Sequence, residues 1–334
     1  MGKKKKNGSR LKSGKENRQF FMPTLLSVSP APHISALDTV RTVMLDVIIA
    51  LIPALAWGIY KGGLNAFLIV IISVATCVLS EFVFQKITRR TVTVTDLSAV
   101  VTGLILAMLL PAECALYVPC IGGVFAIIVV KQLFGGIGRN IVNPALAARA
   151  FIALCWPAQL IKFTGGAAQT TALDTLNSGA IPKVSLFNCI IGNVPGSIGE
   201  VSAIALLIGF VYLLVRRVVS WQLPVGFVFT VALVSFAFPL TDGSNIGFML
   251  YSIFSGSLLI CALICANDYA TSPVTGSGRL IFGVGAGLIT VFIRYFGAST
   301  EGAVYGILIM NLLVPFIERL TAPRRFGRPT KARL

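Results

Sequence analysis

Histidine is nearly missing from this 334-residue chain, His33 being its only one. One imidazole cannot supply paired haem ligands or a histidine-based metal cage, and His33 reads as a turn residue. The seven cysteines contain no CxxC pair, which argues against an iron–sulfur cluster held wholly by this chain. Cys114/Cys120 and Cys261/Cys265 sit on apolar segments and read first as small buried hydrophobes, with a cluster shared between subunits left open. No P-loop occurs and no Ser/His/Asp set can be built, which disfavours an ATP-driven pump or a hydrolase. Charge is scarce as well, at 12% of residues against a globular norm of roughly 25%. With 56% hydrophobic residues and a mean hydropathy of +0.87, the chain has more apolar surface than a soluble domain can hide. It is too apolar for disorder and too long and cysteine-poor for a disulfide scaffold. The remaining class is an all-α polytopic membrane protein.

Ten apolar segments recur: 42–60, 64–84, 97–112, 116–130, 144–160, 202–215, 221–240, 246–266, 280–296 and 302–317. A full span takes about 20 residues, and continuous apolar runs of this length pair every backbone group in lipid as helices. The segments 97–112 and 116–130 are short and meet at Pro111, so they form either two short spans or one re-entrant hairpin. Ten helices also admit a division into two five-helix halves. The echo between Asp96-Leu97-Ser98-Ala99 and Asp268-Tyr269-Ala270-Thr271 is a weak sign of it, because both fall on the same side.

The formal charge of +16 is read as topology and not as a nucleic-acid footprint. With the N-terminus inside, 23 basic residues fall inside and 4 outside (Lys61, Lys162, Lys183, Arg294), with Arg149 within a helix. That bias puts both termini in the cytoplasm. The expected organisation is a basic tail over 1–27, a transmembrane domain over 28–320 and a second basic tail over 321–334. The first tail suits the surface of an anionic bilayer. The long loop 161–201, rich in Gly, Thr and Ser, falls outside and is the first place to look for a site.

Ionisable residues in or beside spans are costly and default to function. Asp46, Glu81 and Arg149 lie within predicted helices, and Asp96, Glu200, Asp268 and Glu301 lie at or near helix ends. Of these, Asp46, Asp96, Arg149, Glu200, Asp268 and Glu301 are the candidates for an ion path. Arg149 either pairs with an acid or holds an anion inside the bundle. Glu200 and Glu301 also suit simple capping of outer helix starts. Gly283, Gly285 and Gly287 alternate on one predicted helix, as close helix packing requires.

Several segments taken together resemble RnfD, a membrane component of the Rnf complex, the ion-translocating ferredoxin:NAD oxidoreductase. That family is similar to NqrB of the sodium-pumping NADH:quinone oxidoreductase. The segments are Val28-Ser29-Pro30-Ala31-Pro32-His33-Ile34 with Met44-Leu45-Asp46, Asp96 to Gly103, Gly135-Gly136-Ile137-Gly138 with Asn143-Pro144-Ala145, Gly192 to Glu200, Asp268 to Thr275 with Gly278 to Gly283, Glu301-Gly302 and Met310-Asn311. Their order and spacing make the set specific, over about residues 28–325.

The resemblance implies an electron-transfer subunit in the bacterial cytoplasmic membrane. It implies an FMN joined through its phosphate to a threonine hydroxyl in the outer loop, in a pattern near Ser-Ala-Thr-Pro-Leu. Ser178-Gly179-Ala180-Ile181-Pro182 looks like that pattern, but Ile181 has no hydroxyl. Gln169-Thr170-Thr171-Ala172-Leu173 keeps the threonine and the leucine, so Thr171 is the expected attachment site and Thr170 the second candidate. Lys162 and Lys183 can offset the phosphate charge, with Gly165 and Gly166 admitting it. The resemblance further implies riboflavin as a second flavin in the bundle. It implies the other Rnf subunits (A, B, C, E and G) as partners, with ferredoxin and NAD handled by those partners and Na⁺ or H⁺ exported. Two alternatives stay open: the quinone-reducing relative, and a cofactor-free channel or secondary transporter.

Overall fold

The computed structural model describes residues 39–161, 171–180, 182, 184–200, 202–240, 244–297 and 301–322. Among them the chain is helical, with no strand and one isolated bridge between Pro111 and Ser197. The elements are α1 (Val40–Ile87), α2 (Ser98–Met108), α3 (Tyr117–Val124), α4 (Pro144–Cys155), α5 (Pro157–Leu160), α6 (Ala172–Asn177), α7 (Leu186–Ile191), α8 (Ala203–Val215), α9 (Gln222–Ala237), α10 (Asn245–Phe254), α11 (Leu258–Leu263), α12 (Gly276–Phe296) and α13 (Gly302–Thr321). A π-helix, Phe125–Gln132, continues α3.

α1 carries two of the expected spans. Its 48 residues are interrupted at Gly63, whose φ of 65° and ψ of −155° are open to glycine and strained for other residues. Unbroken, the helix would hold Met44 and Glu81 about 55 Å apart. Instead, Glu81 binds Lys131, and Met44 lines the same small cavity as Lys131. The chain therefore folds back at Gly63 into two arms. The turn is tied down by Lys61 Nζ donating to Gly192 O at 2.9 Å and by Asn65 Nδ2 donating to Ala112 O at 2.6 Å.

α1, α12 and α13 are long and apolar enough to cross a membrane, and α10 with α11 and its 3-10 extension makes a fourth candidate bent by 66°. α2, α4, α8 and α9 are apolar but shorter, at 10–17 residues. The expected helix over 144–160 breaks at Trp156, and that over 246–266 breaks at Ser255–Ser257.

α2 forms the centre of the bundle, with ten of its eleven residues buried. α12 packs on α9 without side chains between the backbones. A Cβ on Gly283 would lie 2.5 Å from Leu223 O, and one on Gly287 would lie 3.0 Å from Phe227 O. Gly285 faces Met310 on α13 instead, so the three alternating glycines serve two packing faces.

Candidate functional site

Polar groups buried in this apolar bundle gather at its two ends. At the Gly63 end, α2 stops at Met108 and the chain turns through Leu109–Pro111. The segment Ser197–Glu200 lies against that turn. Ile198 N donates to Leu110 O at 3.0 Å and Gly199 N to Met108 O at 2.7 Å. Gly199 has no room for a side chain, since a Cβ would meet Met108 Cβ at 2.7 Å. This contact fixes Glu200 at the mouth of the bundle, two residues before α8.

Arg149 lies in the middle of α4 and is 5% exposed. Its Nε donates to Leu109 O at 2.8 Å, and its Nη2 donates to Glu301 Oε2 at 2.6 Å. Of the two sequence-based options, an acid partner is what the fold provides. Glu301 stands at the N-terminus of α13 but makes no capping bond there; its carboxylate goes to Arg149. Glu200 caps no helix either. Ser202 caps α8, accepting from Ala205 N at 3.2 Å, while Glu200 Oε2 accepts from Ser197 N at 3.1 Å. Burial, and then the Glu301 carboxylate, push the Glu200 carboxyl up to about 7.

Arg294 is a fourth member. Charge counting along the chain places it among the outer loop cations, and the fold corrects this. It lies on α12, is 4% exposed, and donates Nη1 to Ser252 O at 2.7 Å and Nη2 to Ser255 O at 3.5 Å. Its position near the end of a long apolar segment is the signal that the sequence offers.

Arg149, Glu200 and Glu301 line a cavity of about 410 Å³, together with Thr171, Asp174, Phe254 and Tyr305. Thr171 is the N-cap of α6 in a reciprocal capping box. Its Oγ1 accepts from Asp174 N at 3.1 Å and donates to Asp174 Oδ2 at 2.7 Å, while its own N–H donates to the same oxygen at 3.1 Å. Ala172, Leu173 and Leu176 bury the other face of α6, which holds the threonine at the cavity wall. The expected site residues Thr171, Arg149, Glu200 and Glu301 thus converge on one space. Thr170, Lys162 and Lys183 lie outside the described residues, as do Gly165 and Gly166.

The opposite end, here the Lys131 end, holds the remaining candidates in separate places. Asp46 accepts from Tyr212 Oη at 2.8 Å and pairs with Arg216 at 3.2 Å. Asp268 accepts from Thr271 Oγ1 at 3.2 Å and Ala270 N at 3.4 Å; burial pushes its carboxyl up. Asp96 is half-buried in a 3-10 turn and makes no ion pair among the described residues. Asn143 caps α4 and donates to Cys265 O at 3.2 Å. In the amide orientation that satisfies both groups, Asn311 donates to Thr271 O at 3.0 Å and accepts from Asn143 N at 3.1 Å. Three of the family-like segments therefore meet here.

The most deeply buried ion pair at this end joins two residues that sequence reasoning does not connect. Lys131 and Glu81 are 3% and 1% exposed and lie 2.9 Å apart. Lys131 Nζ also donates to Ser98 Oγ at 2.7 Å, and Gln132 Nε2 donates to Glu81 Oε1 at 2.8 Å. The π-helix makes this possible. Its wider turn aims the consecutive residues Lys131 and Gln132 at one carboxylate. Counted along the chain, Lys131 passes for a loop cation of the positive-inside bias. A lysine directly after an apolar run, with a glutamate inside another, is the signal for the pair. The neighbouring cavity, lined by Lys131, Asn143 and Asp268, is only about 110 Å³.

The profile of the NQR2, RnfD, RnfE family matches residues 27–327. The chain is 43% identical over 311 residues to the D component of the Na(+)-translocating ferredoxin:NAD(+) oxidoreductase complex of Acetobacterium woodii, covering 90% of this chain and 95% of that one. It is 35% identical over 323 residues to the proton-translocating counterpart of Clostridium ljungdahlii, covering 91% and 96%. It is 32% identical over 306 residues to the D component of an ion-translocating oxidoreductase complex of Methanosarcina acetivorans, covering 91% and 98%.

Proposed function

Because this chain belongs to the NQR2, RnfD, RnfE family, we propose that it is the electron-carrying membrane subunit of an ion-translocating ferredoxin:NAD⁺ oxidoreductase complex, with FMN held covalently at Thr171. It works beside the other Rnf subunits (A, B, C, E and G), which handle ferredoxin and NAD. It lies in the bacterial cytoplasmic membrane with about ten transmembrane helices, residues 97–130 forming two short spans or a re-entrant hairpin, both termini cytoplasmic and the Thr171 cavity outside. The positive-inside bias supports that orientation, and it survives the removal of the buried Lys131 and Arg294 from the two sides.

One observation carries the flavin reading: the Thr171 hydroxyl stands on the wall of the 410 Å³ cavity. That volume lies within the range of about 300–1,000 Å³ typical of cofactor and ligand sites. Phe254 and Tyr305 give it apolar walls for a flat ring, and the hydroxyl is the group a phosphoester needs. When bound, FMN supplies one- and two-electron transfer. The chain's own part is positional. Before attachment, the free Thr171 hydroxyl donates a hydrogen bond to Asp174 Oδ2, which fixes the direction of Oγ1. The Arg149–Glu301 pair ties α4 to α13 and keeps that side of the cavity closed.

The test is a denaturing gel of the complex purified from cells competent for flavin attachment. A band of this subunit that fluoresces under ultraviolet light, is lost in Thr171→Ala and is kept in Thr170→Ala supports the proposal. A dark wild-type band, together with solute uptake in vesicles, favours a cofactor-free transporter.

A further inference from the structure

Five buried polar atoms lack a hydrogen-bond partner among the described residues: Ser197 Oγ, Glu200 Oε1, Ser255 Oγ, Ser257 Oγ and Arg294 Nε. All five belong to the Gly63 end, at or behind the Thr171 cavity. Buried polar groups are nearly always satisfied, so such a cluster calls for water, an ion or a proton.

The charges nearby are unequally matched. Glu301 is neutralised by Arg149 at 2.6 Å. Glu200 and Arg294 have no opposite charge within 4 Å among the described residues, although the Glu200 carboxylate acts electrostatically on Arg294. Arg294 is held by the carbonyls of Ser252 and Ser255. Glu200 Oε2 is held by the N–H of Ser197, while its Oε1 has no donor within hydrogen-bond geometry and only the Ser197 hydroxyl acting on the carboxylate nearby. An ionised carboxylate enclosed this way, beside a second carboxylate, is costly unless it binds something.

A metal cation is a poor candidate. It needs several oxygen ligands, and no group of three or more metal-binding side chains converges among the described residues. A proton needs one oxygen. We propose that Glu200 is a proton-exchanging site: Oε1 takes a proton from the Thr171 cavity and returns it there, while Glu301 stays paired with Arg149 and Arg294 offsets the negative charge nearby. Ser197 Oγ, on a residue 1% exposed, acts on the Glu200 carboxylate from behind the cavity wall. The groups facing the site are Glu301 and Tyr305 at the start of α13, Arg149 from α4, Arg294 and Tyr295 from α12 and Cys261 from α11, with Asp174 on the same cavity. The local charge is then a property of pH, set at one carboxyl. The assignment does not require flavin at Thr171.

The experiment is infrared difference spectroscopy of the purified complex. The pH is stepped from about two units below neutrality to about two units above it, without reductant. The expected result is a protonated-carboxyl C=O band that grows as pH falls through about 7. It shifts when glutamate is labelled with carbon-13 and disappears in Glu200→Gln. It persists in Thr171→Ala, so failure of the flavin reading leaves it intact. Glu301→Gln keeps the band but moves its midpoint to lower pH, because a neighbouring negative charge has been removed. If Glu200→Gln does not assemble, Glu200→Asp answers in its place, keeping a carboxyl band at a displaced midpoint. The proposal is overturned if no labelled glutamate titrates near neutrality, or if the band is unchanged in Glu200→Gln. It is also overturned if sodium abolishes the band at constant pH, which would make the site a cation site.

Discussion

Substituting Lys131 by Met tests whether the Lys131–Glu81 pair is a structural anchor of the bundle. The pair is sealed, at 3% and 1% exposure, and Nζ lies 2.9 Å from Oε1 and 3.0 Å from Oε2. Removing one partner of a buried, hydrogen-bonded pair costs about 3–5 kcal/mol, because the other charge is left uncompensated. Lys131→Met should fall near the lower end. Gln132 at 2.8 Å and Gln85 at 3.2 Å still donate to Glu81 Oε1, and the methionine fills the space of the lysine stem. Glu81→Gln should cost a similar amount, with the Lys131 charge left to neutral acceptors only, Ser98 Oγ and the new amide oxygen. The double variant removes both charges and should cost little more than either single one. The coupling between them is then about 3 kcal/mol. Denaturant unfolding in lipid–detergent bicelles, followed by the fluorescence of Trp57, Trp156 and Trp221, measures all four proteins under one condition. A coupling below about 1 kcal/mol, the range of exposed pairs, would refute the reasoning, since water would then be solvating a pair that the structure shows as dry.

Thr171→Ser keeps a hydroxyl at the cavity wall and should retain a fluorescent band on a denaturing gel where Thr171→Ala is dark. Gly283→Ala places a Cβ 2.5 Å from Leu223 O, backbone that cannot move aside without separating α9 from α12. It should cost about 3 kcal/mol, the upper part of the range for overpacking, and thermal unfolding of the complex reads the loss. The Glu200 carboxyl is raised from 4.5 to about 7 in the fold. The folded state therefore binds that proton more tightly than the unfolded state. Its contribution is full below about 4.5 and is lost as pH rises towards 7. Relative to wild type, Glu200→Gln should gain up to about 3 kcal/mol between pH 5 and pH 8. A constant difference in melting temperature over that interval removes the basis for the shift.

Composition carries the membrane class, with 56% apolar residues and 12% charge, and the long continuous apolar runs carry the helical fold, because in lipid such runs pair their backbone within one segment. The Thr171 cavity is legible through local chemistry. The threonine, Arg149, Glu200 and Glu301 are each conspicuous in sequence, and the fold brings together residues from α4, α6, the segment before α8 and α13. Their pairings are not legible. Whether a carboxylate beside a helix start caps it depends on the next competing acceptor. At α8 that is Ser202, two residues on, and at α13 the Arg149 guanidinium draws the Glu301 side chain away. Lys131 and Arg294 mislead for one shared reason. A cation at the edge of an apolar run looks like a loop residue when counted along the chain, and only the partner's position decides its burial. Glu81 is 50 residues from Lys131, and the carbonyls that hold Arg294 are about 40 residues away.

The two ends of the bundle differ in how their charges are settled, and this difference separates anchor from site. At the Lys131 end, Glu81 and Lys131 saturate each other and are closed off by two amides and a hydroxyl. At the Gly63 end, the Arg149–Glu301 pair is saturated, but Glu200 Oε1 and Arg294 Nε are left open beside the larger cavity. Evolution of a purely structural network has no reason to leave such atoms open, since replacing them by apolar groups is commonly neutral or stabilising. A fold that keeps a sealed pair at one end and an unfinished one at the other has placed its exchangeable charge beside Thr171. The buried helix α2 separates the two, running from Ser98 at the lysine to Met108 at the glutamate segment. α4, from Asn143 to Arg149, and α13, from Glu301 to Asn311, also reach both ends, so the rigid-body position of α2 is one of three routes of coupling. Gly199→Ala, which pushes on Met108, is the substitution that should disturb both ends at once.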